Sequence, residues 1–158
     1  MTDLPALTDA TWPPAARAAL GPWTIRDGQG GGQRVSAATL HGPLAEGDID
    51  RAEAAMAALG QAPLFQVWPQ DRALDDALAA RGYRVKDPVL AYAAPVAALA
   101  APDLPPLAAF AHWPPLGIAD ALWDEAGIGP ARRAVMARAA GPKTVLLGRA
   151  GDRAAGVA

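Results

Sequence analysis

Between Trp23 and Ala94 the chain alternates between stretches that suit a β-strand and stretches that suit a helix, and this alternation restricts its fold more than any other feature. Trp23-Thr24-Ile25-Arg26 and Arg34-Val35-Ser36-Ala37-Ala38-Thr39-Leu40 are β-type runs on either side of the glycine cluster Asp27 to Gln33. Glycines between strands supply positive φ at little steric cost, so a hairpin is the plainest reading. Asp48 can cap a helix in which Ile49, Ala52, Met56 and Leu59 recur at helical spacing and which Gly60 ends. Pro63 to Trp68 reads as a buried strand. Asp71 caps a second helix with Leu74, Ala77 and Leu78 on one face, stopped by Gly82. Arg84 to Tyr92 resume β character, with Asp87-Pro88 marking a bulge or an edge position. The pattern predicts an α/β fold of α+β type, a mixed sheet flanked by helices.

On either side of this region the signals change. Upstream, Trp12-Pro13-Pro14 precedes a short helical stretch, Ala15 to Leu20, stopped by Gly21-Pro22. Downstream, Ala93 to Pro106 is dominated by Ala and Pro and has few side chains able to pack. A linker at residues 96–106 therefore separates a first domain, residues 1–95, from a second that occupies residues 107–158. In the second, Leu116 to Ala126 is helical, with Ile118, Ala119, Leu122 and Trp123 as the apolar stripe. Pro130 suits the first turn of another helix, Ala131 to Ala140. Lys143 to Arg149 is a strand, Ala150 to Arg153 a turn, and Ala154 to Ala158 a returning strand with nothing after it to finish it. The expectation is the front portion of a longer protein.

Composition removes whole classes of chemistry. Apolar residues supply 52% of the chain but aromatic ones only 6%, so the core consists of thinly packed helices seeded by a few Leu, Val and Trp. With no cysteine, disulfides, thiolate zinc sites and cysteine nucleophiles are excluded. A net charge of -2 gives no broad positive field to hold nucleic acid or an anionic membrane. Neither a basic start followed by a long apolar run nor about 18 uninterrupted apolar residues occurs, so no secretory signal or membrane span is expected and the location is read as cytoplasmic. The weighting toward Ala, Arg, Gly and Pro over Lys, Asn and Ser resembles bacterial GC-rich coding. Ser36, the only serine, lies in a strand-like run without the Gly-x-Ser-x-Gly elbow of a nucleophile.

The remaining clusters have bland readings that compete with functional ones. A phosphate cradle at the glycine cluster would need a helix directly behind it, and a β-type run follows instead. Asp120, Asp124 and Glu125 fit a solvated helix face better than an acid-base pair. Asp71, Asp75 and Asp76 sit at a helix start, where the macrodipole favours negative charge. His41 and His112 lack neighbours at ligand spacing, so no metal is expected. Arg132 and Arg133, at the start of their helix, could meet an anion or remain an exposed basic pair.

Two segments carry a family resemblance. The helix pair Leu116 to Ala140, joined by Gly127-Ile128-Gly129 and followed by Thr144 to Ala158, is similar to the opening of a GNAT superfamily N-acetyltransferase. There, a "Gly-x-x-Gly-Asp-x-x-x-Gly-x-Ala" style turn leads into the next strand. Ala73 to Tyr83 resembles the late helix of that fold, which ends in Gly followed by an aromatic residue. Their order implies a tandem arrangement: residues 1–95 as an incomplete GNAT-like module, residues 107–158 as the first helices and hairpin of a catalytic domain. The resemblance implies transfer of acetyl from acetyl-CoA to a primary amine of a small molecule or peptide, by attack of that amine on the thioester. The family's Arg/Gln-x-x-Gly-x-Gly/Ala loop, which holds the pyrophosphate at a helix N-terminus, has no match; Gln29 to Arg34 is the nearest approach. In the family it follows the strand after the one that ends at Ala158, so the acetyl-CoA site is expected outside this chain and the catalytic group is not identified. Trp123, Gly127, Arg132 and Arg133 are the candidates for a substrate-side wall, although for Trp123 a plain core role is the preferred reading. A homodimer is compatible with this reading. The alternative is a non-catalytic GNAT-like module for binding or interaction.

Overall fold

A computed structural model describes residues 3–99 and 105–158. In chain order the elements are α1 (Leu4–Thr11), β1 (Ala16–Leu20), β2 (Trp23–Asp27), β3 (Ala38–Leu40), α2 (Asp48–Ala58), β4 (Phe65–Gln66), α3 (Arg72–Ala80), α4 (Val96–Leu99), β5 (Ala109–His112), α5 (Gly117–Glu125), α6 (Pro130–Arg138), β6 (Val145–Ala150) and β7 (Arg153–Val157). The fold is mixed, with six helices and two sheets among the described residues. It divides into two units: one runs to Arg84 and includes Pro130–Ala140, the other comprises Val85–Gly129 and Gly141–Ala158. Residues 100–104 of the expected linker lie outside the described residues.

The first unit is built on a sheet of order β1-β2-β3-β4. β1, β2 and β3 are antiparallel, while β4 lies parallel to β3 through Ala38↔Phe65 and Thr39↔Gln66, and α2 makes the crossover between them. Alternation sorts the side chains by face. Trp23, Ile25 and Ala38 pack with Ile49, Ala52 and Met56 of α2 and with Leu74 and Leu78 of α3, forming the core. Phe65 joins this core between two rings, 5.3 Å from Trp23 and 5.4 Å from Tyr83. Arg81, just past α3, clasps α2 through both oxygens of Asp50. That hydrogen bond, more than charge, lowers the Asp50 pKa.

Local structure departs from the sequence expectation in several places. Of the β run expected over Arg34 to Leu40 only Ala38–Leu40 pairs, as β3, while Arg34 to Ser36 form a turn; α4 falls within the expected linker, and β5 had no counterpart in the sequence reading. Ala16–Leu20 was expected as helix and is a strand. Alanine has high helix propensity, but Gly21, at φ 56, turns the chain so that all five residues of β1 pair with β2. The hairpin therefore closes at Gly21-Pro22, not at the glycine cluster. The cluster belongs to a longer connection between β2 and β3, in which Gly31 N–H donates to Gly28 O at 2.8 Å. α1, which the sequence did not announce, is N-capped by Asp3, whose carboxylate accepts from Ala6 N–H at 3.0 Å. The β run expected at Arg84 to Tyr92 joins no ladder: a strand is stable only when a neighbour takes up its hydrogen bonds, and Pro88 has no N–H to offer one. Val85, Val89, Leu90 and Tyr92 stand exposed along it.

α6 completes the first unit. Its Val135 is fully buried, and its Ala131 approaches Gly30. A methyl group on Gly31 would collide with Val135, so the glycine is required by close packing and not by its own dihedral angles. In the second unit β5, β6 and β7 form an antiparallel sheet in that order, with a register shift at Gly148/Arg149. α5 buries Ala119 and Trp123, and β6 buries Val145 and Leu147.

Candidate functional site

The face of the first sheet turned away from α2 and α3 is polar. Thr24 and Arg26 of β2, Thr39 of β3 and Gln66 of β4 project from it, and α1 lies across it. Between them is a cleft of about 550 Å³. Arg26 is its centre, and only 3% of this residue is exposed. Its Nη1 donates to Ala37 O at 2.8 Å and to Thr39 Oγ1 at 2.7 Å, which fixes the guanidinium plane. Its Nη2 donates to both Oδ1 and Oδ2 of Asp9 on α1, each at 3.0 Å. Arg17 reaches the same aspartate, with Nη1 3.6 Å from Oδ2 and Nη2 donating to the main-chain oxygen at 2.9 Å. Two guanidinium groups thus converge on one carboxylate.

Two side chains that line this cleft carry a donor with no partner among the described residues. Arg26 Nε is buried without an acceptor, and so is the indole Nε1 of Trp68, which lines the cleft beyond the end of β4. Buried N–H groups are ordinarily paired, so each of these two calls for an acceptor that the described residues do not supply. The parallel pair β3 and β4 stops after Thr39↔Gln66, and His41 and Trp68, just beyond the two strand ends, line the same cleft. Clefts beyond the carboxyl ends of parallel strands are where α/β sheets commonly receive ligands.

The residues singled out from sequence are distributed between the units. Trp123 is a buried residue of α5, and Gly127, at φ 73, terminates that helix, both in the second unit. Arg132 and Arg133 lie on α6 of the first unit, where the Arg132 guanidinium is 6.0 Å from the centre of the Trp12 ring. His41 is exposed, whereas both ring nitrogens of His112 are buried without a partner among the described residues. Among the described residues no group of three His, Asp or Glu side chains could hold a metal ion. None of their helices is long and apolar enough to cross a membrane.

Sequence reasoning passed over Asp9, Arg17 and Arg26. The available signal was the alternation Trp23-Thr24-Ile25-Arg26, which puts a charged side chain on the face opposite two core residues. Its meaning depends on α1, which the sequence did not reveal.

The loop from His41 to Gly47 leads from β3 into α2. Gly47 adopts φ 75, and the first turn of α2 contains Asp48 and Asp50. Asp48 is buried; its Oδ2 accepts from Ala45 N–H at 2.7 Å, and its Oδ1 is held by Arg51. The start of this helix therefore already carries a buried carboxylate. Comparison of the chain with protein-family models, with curated proteins and with solved structures found no match.

Proposed function

We propose that this chain is part of a GNAT-type N-acetyltransferase in which the first unit is a non-catalytic copy of the fold and the second unit opens the acetyl-transferring one. The observation that carries the reading is the element order of the first unit. A hairpin, β1 and β2, is followed by a further strand, β3, then a loop and the helix α2, and later by α3, which stops at Gly82-Tyr83. The family's order runs the same way, from hairpin through the next strand to the loop that holds the acetyl-CoA pyrophosphate, and on to a late helix ending in Gly and an aromatic residue. In the second unit β5, α5, β6 and β7 supply a strand, a helix and an antiparallel hairpin, while α6, the other member of the expected helix pair, belongs to the first unit.

By that order, a pyrophosphate in the first unit would lie at the loop before α2. The residues there do not fit it. A helix N-terminus accepts an anion through its N–H groups and its dipole, and here the first turn holds two carboxylates, one of them buried. Bringing a pyrophosphate against the Asp48 carboxylate would set like charges together in a low dielectric. We derive no chemical step for this unit and assign it a binding or scaffolding role. The acceptor remains an unspecified primary amine.

Isothermal titration of acetyl-CoA, first into this chain and then into a version extended beyond Ala158, tests the reading. Binding to the extended chain alone, together with acetylation of an amine panel, is the expected result. Tight binding to the 158-residue chain would overturn the placement of the cofactor, and an extended chain that neither binds nor transfers would leave the interaction module as the whole function.

A further inference from the structure

We propose that the cleft beneath α1 is a binding site for a small carboxylate-bearing molecule with a second oxygen acceptor, and that Asp9 occupies the carboxylate position in the absence of that ligand. The proposal is independent of acetyl transfer.

The argument begins with how a guanidinium group binds a carboxylate. The tightest geometry is side-on, with Nε–H and the neighbouring Nη–H each donating to one oxygen. Arg26 does not achieve this with Asp9: both oxygens are on Nη2, at 3.0 Å each, while Nε is buried and has no acceptor among the described residues. The aspartate is held on a backbone helix and fills half of the fork. A free carboxylate, not restrained by α1, can move to bridge Nε and Nη2, keep the second guanidinium of Arg17 within reach, and displace Asp9.

Other features of the cleft define the rest of the ligand. Nη1 of Arg26 is committed to Ala37 O and Thr39 Oγ1, so the guanidinium is oriented before anything binds. The unpartnered indole N–H of Trp68 calls for an acceptor and not a donor. At about 550 Å³ the cleft lies in the ordinary range for a small-molecule site. α1 is suited to yielding its place, because none of its residues is fully buried and Asp9 supplies its hydrogen bonds to the arginines of β1 and β2. A dicarboxylate or an oxo acid meets these requirements; a neutral amide does not.

The test uses the full 158-residue chain and nuclear magnetic resonance of the arginine Nε–Hε groups, with succinate as the carboxylate probe, succinamide as its neutral counterpart and inorganic phosphate as a competing anion. Succinate is expected to move the Arg26 Nε–Hε signal in the unmutated chain, while succinamide and phosphate leave it in place. Asp9→Asn, which removes the competing charge, is expected to tighten succinate binding about tenfold, and Arg17→Gln to weaken it by a similar factor. The variants need only retain the unmutated circular dichroism spectrum, and Arg26 itself is left intact so that loss of folding cannot imitate loss of binding. A stationary Arg26 signal, equal affinity with and without the Asp9 charge, or phosphate binding as well as succinate would each overturn the assignment.

Discussion

The indole Nε1 of Trp23 donates to the main-chain oxygen of Asp48 across 2.9 Å, both groups being buried and 25 residues apart in the chain. This bond joins the second strand of the sheet to the first residue of the crossover helix, and it lies beside the carboxylate that blocks the helix start. The same tryptophan is the largest fully buried side chain among the described residues. Replacing it therefore removes both packing and a directional tie. Trp23→Phe is expected to cost about 1–2 kcal/mol and Trp23→Ala about 3–5 kcal/mol. Urea denaturation checks this as a lowered midpoint with an unchanged slope.

Asp48→Ala leaves the Ala45 N–H without its acceptor and Arg51 without its carboxylate. A loss of about 1–3 kcal/mol is expected, and less for Asp48→Asn, which retains an acceptor oxygen. Thermal unfolding of the two variants side by side measures the difference; equal losses would mean that charge and not the Ala45 bond is what Asp48 contributes.

Gly31→Ala forces a methyl group against Val135 on α6 and against Val35. The expected cost is about 1–3 kcal/mol, and Val135→Ala in the same chain should recover part of it. A double-mutant cycle with no coupling between the two sites would contradict the packing of α6 on the glycine loop.

Burial, and then the hydrogen bond from its hydroxyl to Glu53 at 2.6 Å, push the Tyr83 pKa above its ordinary value of 10.0. In the unfolded chain the phenol loses its proton near that ordinary value, whereas in the folded chain it keeps it. Above about pH 10 the unfolded state binds fewer protons, so this group's stabilisation, full below that pH, falls as pH rises. Stability curves for Tyr83→Phe should lack that alkaline decline. Ultraviolet absorbance of a Tyr92→Phe chain, which leaves one phenol to follow, should show ionisation displaced upward while the protein is folded.

How much of this was legible depended on where the information lay. α2, α3, α5 and α6 carry their own signals, an apolar stripe with a Gly, Pro or Asp at an end, and each was expected within a few residues of its observed bounds. β6 and β7 were likewise announced by the polar turn between them. β1 was misread because Ala16–Leu20 is helix-prone in isolation and becomes a strand only through five pairings with β2. The run Arg84 to Tyr92 failed in the opposite sense: its β propensity is real, and no strand among the described residues takes it up. The cleft could not be read at all. Arg26 looks like any strand arginine until Asp9, 17 residues earlier, is brought over it.

The membership of Pro130–Ala140 in the first unit has a bearing on how that unit is made. During synthesis Val35 and Gly31 emerge early, but the valine that covers them is added only after all of Val85–Gly129 has been polymerised. Until then the glycine loop lacks the side chain that packs against it. A gene cut anywhere in the Ala-Pro stretch would release a fragment that lacks its final helix, however natural that stretch looks as a place to divide the protein.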